Sequence, residues 1–258
     1  MAWGGCRRPG DAAARQAGHK GECRLDSDEL SRFSLEALLD AGTRRQWSTG
    51  SALMNEGDRS DHVVIIHAGR VKVTSAAESG KQVLLAIRGP GDLLGEFSAI
   101  DGRARSATVT ALSAVSATVV PGQAFRAMLR TDGRAAFAML QVVIHRLREA
   151  DVQRLEYGAH TVTERVSRLL LDYAARYGQA DDDRVVITLP LTQDELAHAA
   201  GASREAVAKS LRLLRDRKAV RTGRRRIELL QLGLLAELAG GVPSVYSDAD
   251  GPGRPERT

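Results

Sequence analysis

From Arg45 to Pro121 the apolar residues come in short runs, "HVVIIHAG", "RVKVTSAA", "KQVLLAIRG", "SATVTAL" and "AVSATVV", separated by Ala-Gly, Glu-Ser-Gly, Gly-Pro-Gly and Asp-Gly. Short β-rich runs at close, regular spacing predict the strands of a sandwich or barrel. After Pro121 the period becomes helical. Phe137, Leu140, Ile144, Leu147, Asp151 and Leu155 follow three- and four-residue steps, one face of a long helix over residues 133–159, while His145, Arg146, Arg148, Glu149 and Arg154 form its other face. The stripe runs farther than one small barrel can cover, so a second copy of the chain is expected against it. A further helix is predicted over residues 161–178, opened by Thr161 or Thr163, and "RVVITLP" then reads as a strand preceded by a solvated turn at Asp181-Asp182-Asp183.

The segment "LTQDELAHAAGASREAVAKSLRLLRDRKAVRTGRRRIELL" divides into two helices. Thr192 caps the first, with Asp194 and Glu195 in the first turn where the helix dipole favours acids. Gly201 breaks that helix, and Ser203 caps the second, in which Val207, Leu211 and Leu214 face inward. Two short helices held at a steep angle across a glycine turn are helix-turn-helix grammar. "AVRTGRRRIELL" adds a strand, a turn and a strand, a wing beside the second helix.

Charge sharpens this picture. Over the whole chain Lys and Arg number 37 against 32 Asp and Glu, a weak excess. Between Gly201 and Arg226, however, ten Lys or Arg face only Glu205 and Asp216, a net of +8. Arg204, Glu205 and Lys209, opposite the apolar side of the second helix, suit the base edges of a major groove, and Arg224 and Arg225 on the wing suit phosphates. Double-stranded DNA is the expected partner.

Composition excludes several classes. The two cysteines, Cys6 and Cys23, allow no disulfide framework, zinc quartet or iron–sulfur ligand set, and a reducing cytoplasm is the expected compartment. No metal is expected. Residues 1–27 lack the apolar stretch of a signal peptide, and no run approaches the length of a membrane-spanning helix. Residues 1–27 and 241–258 are too rich in Gly, Pro and charge to join a core. An enzyme is not expected: G-x-S-x-G and H-E-x-x-H are absent, "SAAESGKQ" has Ser75 and Gln82 where a P-loop needs Gly and Ser or Thr, and "GPGDLLG" misses the dinucleotide spacing.

One stretch remains, "GEFSAIDGRARSATV", beginning at Gly95. Gly95 lets a ligand approach the backbone, and the amides of Phe97 and Ser98 open a helical turn suited to an anion. Arg105 and Ser106 add one guanidinium and one hydroxyl, which fit a singly charged phosphodiester better than a triphosphate. Glu96 is costly beside a phosphate unless the ligand brings a hydroxyl donor, as ribose does. Phosphate plus ribose in a β-barrel points to a 3′,5′-cyclic nucleotide.

"GEFSAIDGRARSATV" closely resembles the phosphate-binding cassette of cyclic-nucleotide-binding domains, and "LTQDELAHAAGASREAVAKSLRLL" resembles the winged helix-turn-helix of the catabolite activator protein (CRP/FNR) family of bacterial transcription regulators. The resemblance covers Leu30 to Leu235 and joins both motifs in the family's order. It implies an α+β chain: an N-terminal β-roll (double-stranded β-helix) of the cyclic-nucleotide-binding type over residues 28–132, a dimerisation helix over 133–159 and a C-terminal winged helix-turn-helix over 160–240. It further implies a homodimer, a cyclic nucleotide effector, foremost cAMP, a palindromic operator and contact with RNA polymerase. By position, Gly95, Glu96 and Phe97 hold the ribose side, Arg105 and Ser106 the cyclic phosphate, and Asp151 the base. Arg204, Glu205 and Lys209 contact base edges, and Thr192 and Ser203 contact phosphates. Lys209 stands where well-known members have arginine, Ala206 where they have threonine, and Ala150-Asp151 where they have Thr-Ser, so the half-site and the base identity stay open. A sensor without a ligand, or with a cyclic dinucleotide, is the alternative.

Overall fold

A computed structural model describes residues 38–240 apart from 78, 79, 81 and 224, so both expected tails and Arg224 lie outside the described residues. The chain forms two compact units: the larger runs up to Val162 and includes Leu189–Ala208, and the smaller comprises Thr163–Thr188 and the described residues from Lys209 onward.

The larger unit contains two four-stranded antiparallel sheets. One is ordered β1 (Thr43–Trp47), β8 (Val115–Val120), β3 (Val63–Ala68), β6 (Leu93–Leu94), and the other β2 (Ala52–Met54), β7 (Thr108–Ala111), β4 (Val71–Ala76), β5 (Gln82–Arg88). Strand β3 explains why its run reads as unbroken apolar sequence. Val64 and Ile66 point into the core between the sheets with Leu53, Val71 and Val109, whereas Val63 and Ile65 point the other way. There they meet helices α2 (Gly122–Thr131) and α3 (Gly133–Ala159) through Phe125, Ala135, Ala138, Met139 and Val142. A strand buried on both faces loses the alternation of a half-exposed one. Helix α3 starts where Asp132 accepts hydrogen bonds from the amides of Arg134 (2.9 Å) and Ala135 (3.3 Å). Between β6 and β7 lies a short helix, α1 (Glu96–Asp101).

In the smaller unit, helix α4 (Val162–Tyr177) begins directly after Thr161. A four-stranded antiparallel sheet follows, ordered β11 (Val220–Gly223), β12 (Arg226–Leu229), β10 (Arg184–Ile187), β9 (Gly178–Asp181). Strand β9 is not predicted by the sequence, which runs the helix to residue 178 and sets a turn at Asp181-Asp182-Asp183. Its residues Gly-Gln-Ala-Asp show no strand pattern, and the pairing of Ala180 with Val185 supplies the order instead. Asp182, at φ +53°, makes the turn between β9 and β10. Val166, Leu170, Ile187, Leu214, Leu229 and Leu235 are buried here, and Arg168 of α4 donates to the carbonyl of Ala239 (2.8 Å), just past α7 (Leu232–Leu238).

Helix α5 (Gln193–Ala199) belongs to the larger unit, and α6 (Arg204–Asp216) continues from the larger unit into the smaller. Among the described residues no helix is long and apolar enough to cross a membrane.

Candidate functional site: a buried cation cassette and a helix-turn-helix

Arg105 sits just before β7, where its amide donates to Asp58 O and its carbonyl accepts from Gly57 N, both at 2.9 Å. These bonds hold the side chain inward, 4% exposed. Its Nε donates to Ser60 Oγ (2.9 Å), Nη1 to Gly95 O (2.9 Å) and Nη2 to His62 O (2.6 Å). Every one of these acceptors is a neutral oxygen. Burial therefore pulls the guanidinium below its ordinary pKa, against the upward pull of Asp61, Glu96 and Asp58. A desolvated cation on neutral partners still favours an incoming anion.

Gly95 caps α1 at φ +83°. A Cβ there would stand 2.5 Å from Arg105 Nη1 and 2.8 Å from His62 O, so the missing side chain makes room for the guanidinium itself. Glu96, 3% exposed, turns inward and is ion-paired with Arg146 of α3, whose Nη2 also donates to Leu93 O (2.6 Å). Phe97 and Ser106 are exposed and Ser98 is buried. Arg126 of α2 donates to Ala99 O (2.8 Å), fixing the far side of α1.

Arg146 and Glu149, on the face of α3 other than the apolar stripe, both reach the roll. Arg88 of β5 donates to Glu149 Oε2 (3.1 Å). The structure does not bring Asp151 to the cassette: its carboxylate is 57% exposed and faces Arg154 at 3.8 Å. The stripe of α3 is open, with Phe137 62%, Leu147 59% and Leu155 72% exposed, because the roll covers the opposite set from Ala135 to Val142. Among the described residues no group of His, Cys, Asp and Glu could hold a metal ion.

At the helix-turn-helix, Thr192 Oγ1 accepts from Glu195 N (3.1 Å), and the Glu195 carboxylate accepts from Thr192 N (2.7 Å) and Oγ1 (3.0 Å), a reciprocal capping box. The Thr192 hydroxyl, assigned to a phosphate, thus already donates to Glu195. The same carboxylate is ion-paired with Lys72 of β4. Gly201 turns the chain at φ +59°, and Ser203 Oγ accepts from Ala206 N (3.2 Å) to cap α6. Val207, Ser210, Leu211 and Leu214 of α6 are buried, whereas Arg204, Glu205, Lys209 and Arg212 are exposed. Arg215 Nη1 donates to Thr222 Oγ1 (3.1 Å), tying α6 to β11.

On the β11–β12 hairpin the structure redistributes the charge that the sequence counts. Glu228 collects Arg221 (3.1 Å), Arg226 (3.0 Å) and Arg184 (3.2 Å), so Arg221 and Arg226 are internally paired on the hairpin, and Arg204 of α6 lies 3.9 Å from Asp194. Arg225, at φ +57° in the hairpin turn, is exposed.

Comparison with known proteins agrees with both halves. Residues 44–132 match the cyclic nucleotide-binding domain and residues 164–238 the Crp-like helix-turn-helix domain. The chain is 33% identical to the CRP-like cAMP-activated global transcriptional regulator of Mycobacterium tuberculosis over 162 residues, 63% of this chain and 72% of that one. It is 29% identical to the cyclic AMP receptor protein of Thermus thermophilus over 213 residues, 83% of this chain and 95% of that one. Among solved structures, the c-di-GMP-responsive global regulator CLP of Xanthomonas campestris shares the fold at TM-score 0.68 and 18% identity, covering 77% of this chain and 99% of that one.

Proposed function

Because this chain belongs to the CRP/FNR family of transcription regulators, we propose that it is an effector-responsive regulator whose roll binds a 3′,5′-cyclic nucleotide and whose homodimer binds a palindromic operator. The family acts by binding DNA and not by catalysis. Arg105 carries the reading: a buried guanidinium on neutral oxygens, beside a buried carboxylate, is a place for a phosphate next to a hydroxyl donor. Ser106 is the second phosphate donor, and Glu96 accepts from the ribose. cAMP is the effector that the names of two relatives carry.

A ribose hydroxyl on Glu96 competes with Arg146, and Arg146 belongs to α3. Effector binding therefore acts directly on the helix whose open stripe pairs two copies of the chain. The new α3 packing sets two copies of α6 about one DNA turn, roughly 34 Å, apart, with Arg204, Glu205 and Lys209 at base edges and Ser203 and Arg225 at phosphates. RNA polymerase is the protein partner expected of a DNA-bound activator.

A sensor without a ligand is the second reading, favoured by the three hydrogen bonds Arg105 already makes within the protein. A mobility-shift titration of labelled duplex with and without cAMP or cGMP, on the wild type and Arg105→Ala, separates the two. Nucleotide-dependent affinity that Arg105→Ala loses supports the sensor. Identical shifts in all conditions support the ligand-free form.

A further inference from the structure

The first helix of the helix-turn-helix is held by the roll. Helix α5 and α6 as far as Ala208 fall in the larger unit with it. On β4, Val71 and Val73 pack toward the core between the sheets, so Lys72, between them, points outward. Its partner across the ladder is Ile87 of β5, which lies on the same outer face. Ile87 is 5% exposed although it is no part of that core, and α5 is the helix packed against β5. An apolar seat for α5 thus lies beside the lysine.

Lys72 pairs with Glu195 in the first turn of α5, with side chains 26% and 12% exposed. Glu195 also accepts from the amide and the hydroxyl of Thr192, so one carboxylate both caps α5 and ties it to β4. Asp194, its neighbour in α5, lies 3.9 Å from Arg204 at the start of α6. The turn between the two helices rests on α3: Tyr157 Oη donates to His198 O (3.5 Å), and a Cβ at Gly201 would collide with the Tyr157 ring. With α5 so held, Ser203 and Arg204 remain exposed. A recognition helix contacts base edges with its N-terminal residues, so this arrangement leaves the reading end of α6 uncovered.

We propose that Lys72 is a positioning residue for DNA reading: through Glu195 it holds α5, and with it the start of α6, in the arrangement that reads base edges. The proposal rests on the DNA-binding reading of the helix pair. Lys72 acts through Glu195 and not by touching DNA. A reader already held in its bound arrangement loses less freedom on binding, so the tie strengthens specific recognition. Non-specific binding depends on phosphate neutralisation and needs no such register, so the tie leaves it unchanged.

The test is fluorescence anisotropy of the full-length chain on two duplexes. One is the duplex that wild type enriches from a randomised pool, with selection run both with cAMP and without nucleotide; the other is a scrambled duplex of the same composition. Lys72→Met lowers affinity for the selected duplex about tenfold for each protomer, the shift that one charge-assisted hydrogen bond supplies, and leaves the scrambled duplex and the salt slope unchanged. Lys72→Arg restores the affinity. Glu195→Gln, which keeps an acceptor for the cap, matches Lys72→Met, and the double substitution is no weaker than either alone. Circular dichroism checks folding, and Glu195→Gln carries the comparison where Lys72→Met does not fold. A salt slope lowered by about 1.8 in Lys72→Met makes Lys72 a phosphate contact in each half-site and overturns the proposal. Equal losses on both duplexes, additive losses in the double substitution, or unchanged affinity in Lys72→Met overturn it too, while enrichment of a duplex by wild type still upholds the DNA reading. Failure of folded wild type to enrich any duplex overturns the DNA reading and this inference with it.

Discussion

Glu96 is held by Arg146, a carboxylate of the cassette by a cation of the long helix, fifty residues apart in sequence. Both side chains are largely buried, 4% and 14% exposed, so each is the other's main charge compensation. Glu96→Gln or Arg146→Met alone should cost about 3–5 kcal/mol, since each leaves an uncompensated buried charge. The double substitution should recover much of that loss. A urea-unfolding double-mutant cycle reads the coupling directly, and strictly additive costs would show that the pair does not bind α3 to the roll.

Gly95→Ala should remove effector binding as well as stability. Its φ of +83° costs about 1–3 kcal/mol for any other residue, and its Cβ would displace the Arg105 guanidinium. Gly102→Ala is the matched control, because it also has positive φ, +71°, but meets nothing within 4 Å. A lower unfolding midpoint in Gly95→Ala than in Gly102→Ala, with nucleotide binding lost only in Gly95→Ala, is expected. Equal binding by both would mean that Arg105 tolerates the added methyl.

Not every wing arginine should count toward DNA. Arg225→Ala should lower the dependence of log K on log salt by about 1.8 for the homodimer, about 0.9 for one phosphate contact in each half-site. Arg221→Ala should leave that slope unchanged, because Arg221 is paired with Glu228. Arg204→Ala should instead relax base preference at one position of each half-site by about 1–3 kcal/mol. Fluorescence anisotropy across a salt series, on specific and scrambled duplexes, separates the three behaviours.

Acid should loosen α5. Burial raises the Glu195 carboxyl, but hydrogen bonds from Lys72 and Thr192 prevail and hold it below its ordinary value of 4.5. A depressed carboxylate contributes stability that is complete above about pH 4.5 and is lost as pH falls through the lower folded value. Thermal unfolding between pH 7 and pH 3 should show this acid-dependent loss in wild type and less of it in Glu195→Gln, which should also cost about 1 kcal/mol at neutral pH as a weakened cap. Parallel pH profiles would exclude the carboxylate as the source.

The sequence discloses what is local and periodic. The run around Val64, the capped turn at Gly201 and the Gly95-to-Arg105 cassette all announce themselves in neighbouring residues. Strand β1, Thr-Arg-Arg-Gln-Trp, has no apolar alternation because it is almost wholly exposed, and its pairing with β8 is nonlocal. Arg146 and Glu149 were hidden for a different reason. Charges on a helix read as solvated unless their partners are known, and those partners, Glu96 and Arg88, are 50 and 61 residues away. A clue does exist in Ala135, Ala138, Met139 and Val142, a second set of small and apolar residues whose continuation along the helix is Arg146 and Glu149.

Two of the three oxygens that hold the Arg105 side chain belong to the main chain, those of Gly95 and His62. Substitution at position 62 leaves a carbonyl in place whatever side chain arrives. Much of the cation's anchorage is thus insulated from sequence drift. Side chains around the cassette can therefore change while the buried guanidinium keeps its place.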